Sequence, residues 1–89
     1  MAITVQIPSS LRHEVRGARE LTLSAATVAE ALALLERSHP PLYKSVCDET
    51  GAVRRHVHLF INSSLVHRLD AKLADGDTLS IMPAVSGGS

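Results

Sequence analysis

The chain has 89 residues, 45% of them hydrophobic, which is enough for one domain with one core. Nine basic residues balance nine acidic ones, so we expect no general attraction to nucleic acid or to an anionic membrane. No apolar run approaches the roughly 20 residues of a membrane-spanning helix, and the first ten residues lack the pattern of a secretory signal. Because Cys47 is the only cysteine, no intrachain disulfide can form, and together these features predict a soluble cytoplasmic protein.

The first two predicted elements are strands. Apolar residues alternate with polar ones in AITVQIP, residues 2–8, and more briefly in RELTLSA, residues 19–25. This period of two is typical of half-buried strands. Gly17 lies between the two runs, where it favours a hairpin turn.

A helix is predicted next, over about Val28–Ser38. Thr27 followed three residues later by Glu30 is a capping box, in which the hydroxyl accepts from the Glu30 amide and the carboxylate accepts from the Thr27 amide. Apolar residues then recur at helical spacing and give one apolar face. The two prolines at 40–41 are expected to end the helix. Residues 42–55 are polar and mixed, and a loop is predicted at Asp48–Gly51, because Asp and Gly favour turns.

A third strand is predicted over HVHLFIN, residues 56–62. Every second residue from Val57 is apolar and is expected in the core. His58 and Phe60 therefore fall on the outer face of the strand.

The last strand follows an Asp-Gly-Asp turn and alternates in the same way, which places Ser80 and Met82 on the outer face. The whole order, including a short segment near residues 65–69, predicts an α+β fold: a mixed sheet of four to five strands with one main helix packed on one face. Because the helix carries the crossover, the first and last strands are expected to be central and parallel.

Four short motifs occur in a fixed order that spans nearly the whole chain. They are TVAEAL at 27–32, FIN at 60–62, LADGD at 73–77 and IMPAVSGG at 81–88. Their joint order resembles the ThiS/MoaD family of ubiquitin-like sulfur carriers, which have the β-grasp fold. The opening and closing segments are most similar to the branch of that family that supplies a cysteine synthase.

The resemblance implies a carrier that is not itself an enzyme, with a β-grasp domain at residues 1–85 and a flexible tail at residues 86–89. An activating enzyme of the MoeB/ThiF type adenylates the carboxylate of Gly88 with ATP, a sulfur donor converts it to a thiocarboxylate, and a partner such as a cysteine synthase takes the sulfur. The carrier itself then needs no bound cofactor and no catalytic side chain. Gly87 and Gly88 suit this role because a backbone without Cβ atoms can pass through a narrow channel.

Ser89 departs from the family pattern, in which the mature chain ends at the second glycine. While Ser89 is present, the carboxylate of Gly88 is held in a peptide bond. Ser89 is either a natural cap, removed by a zinc metallopeptidase of the JAMM type at the Gly88–Ser89 bond, or an addition to the natural chain. We expect the cap, because some members of the family are processed in that way.

The outer faces of the last two predicted strands form a candidate partner-binding surface. Adjacent strands can bring the apolar side chains of Phe60 and Met82 together, and a small apolar patch of this kind is a plausible docking surface. The resemblance implies the same surface, because ubiquitin-like proteins meet their activating enzymes there. The residues expected to bind partners are His58, Phe60, Ser80, Met82, Pro83 and Val85.

Two other kinds of site are not favoured. His56 and His58 share a strand face, but two ligands are fewer than a zinc site requires, so we expect no metal. Cys47 has no recognisable base or cationic partner in sequence, so we expect it to be structural rather than nucleophilic.

Three functions stay open at this stage. The first is the sulfur carrier, with cysteine or a related metabolite as the expected destination and molybdopterin or thiamine precursors as alternatives. The second is a protein modifier, in which the same activated tail is joined to lysines of target proteins. The third is a passive β-grasp interaction domain in which the glycines have no role.

Overall fold

The computed structural model describes residues 2–83 and contains a five-stranded mixed sheet with helices on one face. The order of strands across the sheet is β2-β1-β5-β3-β4. None of the helices within the described residues is long and apolar enough to cross a membrane. The elements in chain order are β1 (Ala2–Gln6), a 3₁₀ helix (Ser9–Val15), β2 (Glu20–Ser24), α1 (Val28–Ser38), α2 (Pro40–Val46), β3 (Val57–Ile61), β4 (Ser64–Leu65) and β5 (Thr78–Pro83).

The central pair of strands is β1 and β5, which run parallel with Val5 opposite Leu79. Both side chains are fully buried. β2 pairs antiparallel with β1, and β3 pairs antiparallel with β5. The predicted α+β arrangement, with parallel first and last strands at the centre, is therefore confirmed.

The connection between β1 and β2 is longer than a hairpin turn, because Pro8 ends the first strand and a 3₁₀ helix follows. Val15, at the end of this helix, is buried in the core. Gly17 does occupy a turn position: its φ is +81°, and its N–H donates to the carbonyl of Arg12 at 2.7 Å. The prediction of a turn at Gly17 is thus confirmed, but this turn follows a 3₁₀ helix and does not form a tight hairpin.

Helix α1 begins and ends where the sequence predicts. The Thr27 hydroxyl accepts from the Glu30 N–H at 3.1 Å. The Glu30 carboxylate accepts from the N–H of Ala26 at 3.2 Å, so the prediction of Thr27 as its donor was wrong by one residue. The apolar face of the helix is buried against the sheet, with Val28 and Leu35 fully covered.

A second helix, α2, follows α1 directly and was not predicted from the sequence. The loop predicted at residues 48–51 is confirmed as a turn, in which the Gly51 N–H donates to the Asp48 carbonyl at 3.0 Å. His39 lies between the two helices, and its φ of −139° is not helical, so the chain does not continue as one helix. The prolines then lie in the first turn of α2, where the amide hydrogens that they lack would have no helical partner. Leu42 and Val46, one turn apart, are both fully buried, and this burial stabilises the short helix.

The core is aliphatic, as the composition predicts, and no polar or charged residue of the described chain is buried. Ile61, which was expected in the core, is half-buried, as are Leu21 and Leu23 of β2, and all three pack against the margin of the core. Leu21 and Leu23 lie on an edge strand, and Ile61 is the last residue of β3. Their positions at the border of the sheet leave one side open to solvent.

The Asp-Gly-Asp turn before β5 is confirmed, with a φ of +88° at Gly76. The carboxylate of Asp77 accepts from the N–H of Ala74 at 2.8 Å and from the side-chain amide of Asn62 at 3.2 Å. These bonds, the one from Ala74 first, hold the pKa of Asp77 below its usual value. Asn62 also accepts from the N–H of Thr78 at 3.0 Å, so one network connects the end of β3 to the start of β5.

Candidate functional site

Four of the predicted partner-binding residues lie together on the outer face of the sheet, on β3 and β5. The antiparallel register places His58 opposite Met82 and Phe60 opposite Ser80. Phe60 and Met82 are therefore diagonal neighbours, close enough in a sheet for large side chains to interact. We call this surface the outer patch.

A fifth residue, Leu65, extends the outer patch and was not predicted as a site residue. β4 pairs with β3 so that Leu65 lies opposite Phe60. Leu65 and Met82, with 43% and 52% of their surfaces exposed, are the large apolar side chains that the described chain leaves open to solvent. β4 has only two residues, and it pairs with β3 through a tight turn at Asn62, whose φ is +57°. The sequence around residue 65 does not alternate between apolar and polar residues, so it does not predict this strand.

The outer patch is firmly attached to the rest of the sheet. β5 has hydrogen-bonded neighbours on both sides, β1 and β3. The Ser80 hydroxyl also donates to the side-chain carbonyl of Gln6 on β1 at 3.0 Å. A strand held in this way presents Met82 in a fixed position, which lowers the entropic cost of docking.

Pro83 lies at the end of β5 and does not share the face of Met82. It pairs with Val57 and continues the alternation of Leu79 and Ile81, which face the core. Pro83 is therefore not part of the outer patch, and a partner could contact it only at the end of β5. The predicted site residues Val85, Gly87, Gly88 and Ser89, and the tail at residues 86–89, lie outside the described residues.

A cleft of about 340 Å³ lies beside the last described strand. It is bounded by Gln6, Ser80 and Met82 of the sheet, by two cationic residues, Arg12 and Arg19, and by one acidic residue, Glu20. Arg12 is held in place because its Nε donates to the carbonyl of Ile7 at 3.1 Å. The end of β5, the last described strand, is thus bordered by the outer patch and by a cleft that holds residues of both charges.

Cys47 is a core residue with about 1% of its surface exposed. Burial, and to a smaller extent the neighbouring Asp48 carboxylate, raises the pKa of its thiol. A raised pKa leaves less of the nucleophilic thiolate at neutral pH, so the expected structural role is the one that the geometry supports.

The histidines do not converge. His56 and His58 share a strand face in sequence, but no group of three metal-binding side chains forms within residues 2–83. His13 pairs instead with its neighbour Glu14, with Nε2 and Oε1 2.8 Å apart.

Solved structures with the same architecture cover almost the whole chain. The complex of BexX and CysO from Amycolatopsis orientalis contains a chain that is 34% identical, with a TM-score of 0.87 over 97% of this chain and 99% of that one. The crystal structure of SAMP1 from Haloferax volcanii is 31% identical, with a TM-score of 0.84 over 99% of this chain and 100% of that one. The fold is therefore the ubiquitin-like β-grasp fold that the sequence predicts.

Sequence comparison narrows this class to one family. The sequence profile of the ThiS family matches residues 5–88, and the chain belongs to that family. The sulfur carrier protein CysO of Mycobacterium tuberculosis is 31% identical over 93 residues, which cover 99% of this chain and 100% of that protein. Small archaeal modifier protein 1 of Haloferax volcanii is 35% identical over 78 residues, which cover 84% of this chain and 88% of that protein.

Proposed function

We propose that this protein is a sulfur carrier whose active species is a thiocarboxylate at Gly88. The observation that carries the proposal is the match of the ThiS family over residues 5–88, which includes both glycines and leaves Ser89 outside. The full-length similarity to a protein named as a sulfur carrier supports the same function.

The proposed chemistry takes place on the carboxylate and not on a side chain. An activating enzyme of the MoeB/ThiF type adenylates the Gly88 carboxylate with ATP and releases pyrophosphate. A sulfur donor displaces AMP and leaves a thiocarboxylate, and an accepting enzyme removes the sulfur. ATP is then a substrate of the activating enzyme, and the carrier holds no cofactor of its own.

The folded body contributes binding energy and position. The outer patch lies on the same strand, β5, that leads into the tail, and β5 is hydrogen-bonded on both sides. A partner that docks on His58, Phe60 and Met82 therefore also fixes where the tail begins. Fixing the reacting group relative to the enzyme converts binding energy into a higher rate.

Ser89 makes activation conditional in this account. A JAMM-type metallopeptidase hydrolyses the Gly88–Ser89 bond, and only then is the Gly88 carboxylate available for adenylation. The destination of the sulfur that we propose is cysteine or a related metabolite, with a cysteine synthase as acceptor. Similarity to CysO along the whole chain supports this branch.

A second function, protein modification, has one specific observation in its favour. The small archaeal modifier protein 1 of Haloferax volcanii is 35% identical to this chain. A modifier uses the same adenylated Gly88 but passes the acyl group to a lysine amine of a target. The two functions share activation and differ in whether sulfur or the whole protein is transferred.

Adenylation of defined carboxyl termini tests the proposal. The full chain, a form lacking Ser89 and a control form lacking residues 87–89 are incubated with ATP and a cognate activating enzyme, and pyrophosphate release is measured. We expect release with the form that ends at Gly88, and background release with the other two. Equal rates for the full chain and the Ser89-deleted form would contradict the role of Ser89, and no release from the Ser89-deleted form would contradict the carrier proposal.

A further inference from the structure

The edge of the sheet that lies farthest from β4 is formed by β2. This strand is the first in the order β2-β1-β5-β3-β4, and its five residues, Glu20–Ser24, pair with β1 alone. Among residues 2–83, no backbone hydrogen bond is made on its other side. An open strand edge of this kind is able to pair with a further strand.

Alternate residues of β2 direct their backbone groups at β1. The Ile7 N–H donates to the Arg19 carbonyl at 2.9 Å, which continues the pairing of the two strands by one residue. Because hydrogen-bonded and non-hydrogen-bonded positions alternate in an antiparallel pair, the backbone groups of Leu21 and Leu23 also face β1.

The other residues of β2, Glu20, Thr22 and Ser24, direct their N–H and C=O groups at the open edge. A second hydrogen bond supports this assignment, because Thr4, which is opposite Thr22, donates to the Asp77 carbonyl at 3.0 Å, on the β5 side of β1. All three residues of β2 are exposed. Their six backbone groups are therefore available for pairing without any change of the fold.

These six groups are self-complementary. When a second copy of β2 is placed antiparallel to the first with Thr22 opposite Thr22, Glu20 of each copy lies opposite Ser24 of the other. Positions 20, 22 and 24 then become the hydrogen-bonded pairs of the new ladder, and every one of the six groups has a partner. A shift of two residues in either direction leaves Glu20 or Ser24 unpaired.

The side chains fit the same register. Leu21 of one copy lies opposite Leu23 of the other, on the face where their neighbours Val5 and Ile3 are buried in the core. Both leucines are half-buried in the single chain, so the pairing covers apolar surface at the margin of the core. On the outer face Glu20 lies opposite a serine, and no two like charges face each other.

We propose that the open edge of β2 pairs with β2 of a second copy of this chain, about a two-fold axis at Thr22. The two five-stranded sheets then form one continuous sheet. Five residues from each copy make an interface smaller than that of a stable dimer, so the dimer is weak and forms at high protein concentration. This interaction goes beyond the carrier function, because it requires neither Gly88 nor an activating enzyme.

The proposed dimer leaves both outer patches free. A continuous sheet places the two patches on the same face, since directly paired residues of neighbouring strands point to one side. From β5 to its copy there are then five strand spacings, about 24 Å in total. The dimer would therefore present two carrier surfaces side by side to a partner with two binding sites.

Sedimentation velocity and nuclear magnetic resonance of the full chain test this inference. The sedimentation coefficient is expected to rise from that of a monomer towards that of a dimer between about 10 µM and about 1 mM protein. In a mixture of ¹³C-labelled and unlabelled chains, filtered nuclear Overhauser spectra are expected to show contacts between Leu21 and Leu23 of different copies. A monomer throughout this range, or contacts between copies only at another surface, would overturn the proposal.

Two lysine substitutions on β2 test the register. Thr22→Lys brings two cations opposite each other and is expected to raise the Kd of the dimer by about threefold. Ser24→Lys places each new cation opposite Glu20 of the other copy and is expected to lower the Kd. Both positions are exposed and both variants gain one charge, so a general effect of charge would change both Kd values in the same direction, and that result would also overturn the proposal.

Discussion

The outer patch depends on a few side chains, and Phe60 is at its centre. It is the only phenylalanine of the chain. It is half-buried, lies opposite Ser80 and Leu65, and is diagonal to Met82. A partly covered aromatic ring beside exposed apolar side chains is the kind of residue that dominates binding energy at an interface.

Phe60→Ala is therefore expected to weaken binding to the activating enzyme. Loss of an aromatic contact at the centre of an interface costs on the order of 2 kcal/mol, so we expect the Kd to rise by at least about tenfold. Isothermal titration calorimetry with the form that ends at Gly88 measures it. Thr22→Ala, at an exposed position of β2 on the same face of the sheet, is the control, and equal Kd values for both variants would contradict a docking role for Phe60.

Residue by residue, the sequence predicted the face of most strand positions. The alternation in 56–62 and in 77–83 determined which side chains point outward, because a strand has a period of two. The position of Leu65 beside Phe60 was not predictable in this way, since it comes from a turn at Asn62 and a two-residue strand.

Among the elements, the start of α1 shows how local and distant contacts combine. The first two free N–H groups of the helix, those of Val28 and Ala29, donate to the carbonyls of Ala71 and Leu69 at 3.1 and 2.8 Å. The third, that of Glu30, donates to the Thr27 hydroxyl. A helix leaves its first N–H groups without partners inside the helix, and here three of these groups have an acceptor. Two of the acceptors are carbonyls of residues 69 and 71, in the segment before β5.

Thr27→Ala is expected to lower the free energy of unfolding by about 1 kcal/mol, because only the Glu30 amide loses its acceptor. Thr27→Ser keeps a hydroxyl in the same place and is expected to retain nearly all of the stability. Urea denaturation followed by circular dichroism measures both. Equal losses for Ala and Ser would show that the hydroxyl contributes nothing and that the capping interpretation is wrong.

The helix α2 shows why some elements escape sequence analysis. Its pattern consists of two buried residues, Leu42 and Val46, among polar neighbours and directly after two prolines. Prolines that end one helix also fit the first turn of the next, so the same residues support opposite predictions. Packing against α1 and the 3₁₀ helix resolves the ambiguity, and that information is not local.

At the scale of the whole molecule, the topology places the outer patch on the last described strand and its neighbour β3. β5 lies between β1 and β3, so the last described strand is in the middle of the sheet. Met82 on the outer face borders a cleft that is also lined by Arg12, Arg19 and Glu20. The order of the elements predicted the central position of β5 beside β1, and the strand alternation together with the family resemblance predicted the surface on β3 and β5. The cleft that contains Arg12 and Arg19 was not predicted.

Intact-mass spectrometry of the protein, after incubation with its peptidase, activating enzyme, ATP and sulfur donor, shows whether Gly88 carries sulfur. We expect a chain that ends at Gly88 and is heavier by the difference between one sulfur and one oxygen atom, and we expect the extra mass to be lost when an acceptor enzyme is supplied. A chain that retains an unmodified carboxylate under these conditions, or that is recovered only as an isopeptide adduct on lysines, would contradict this expectation.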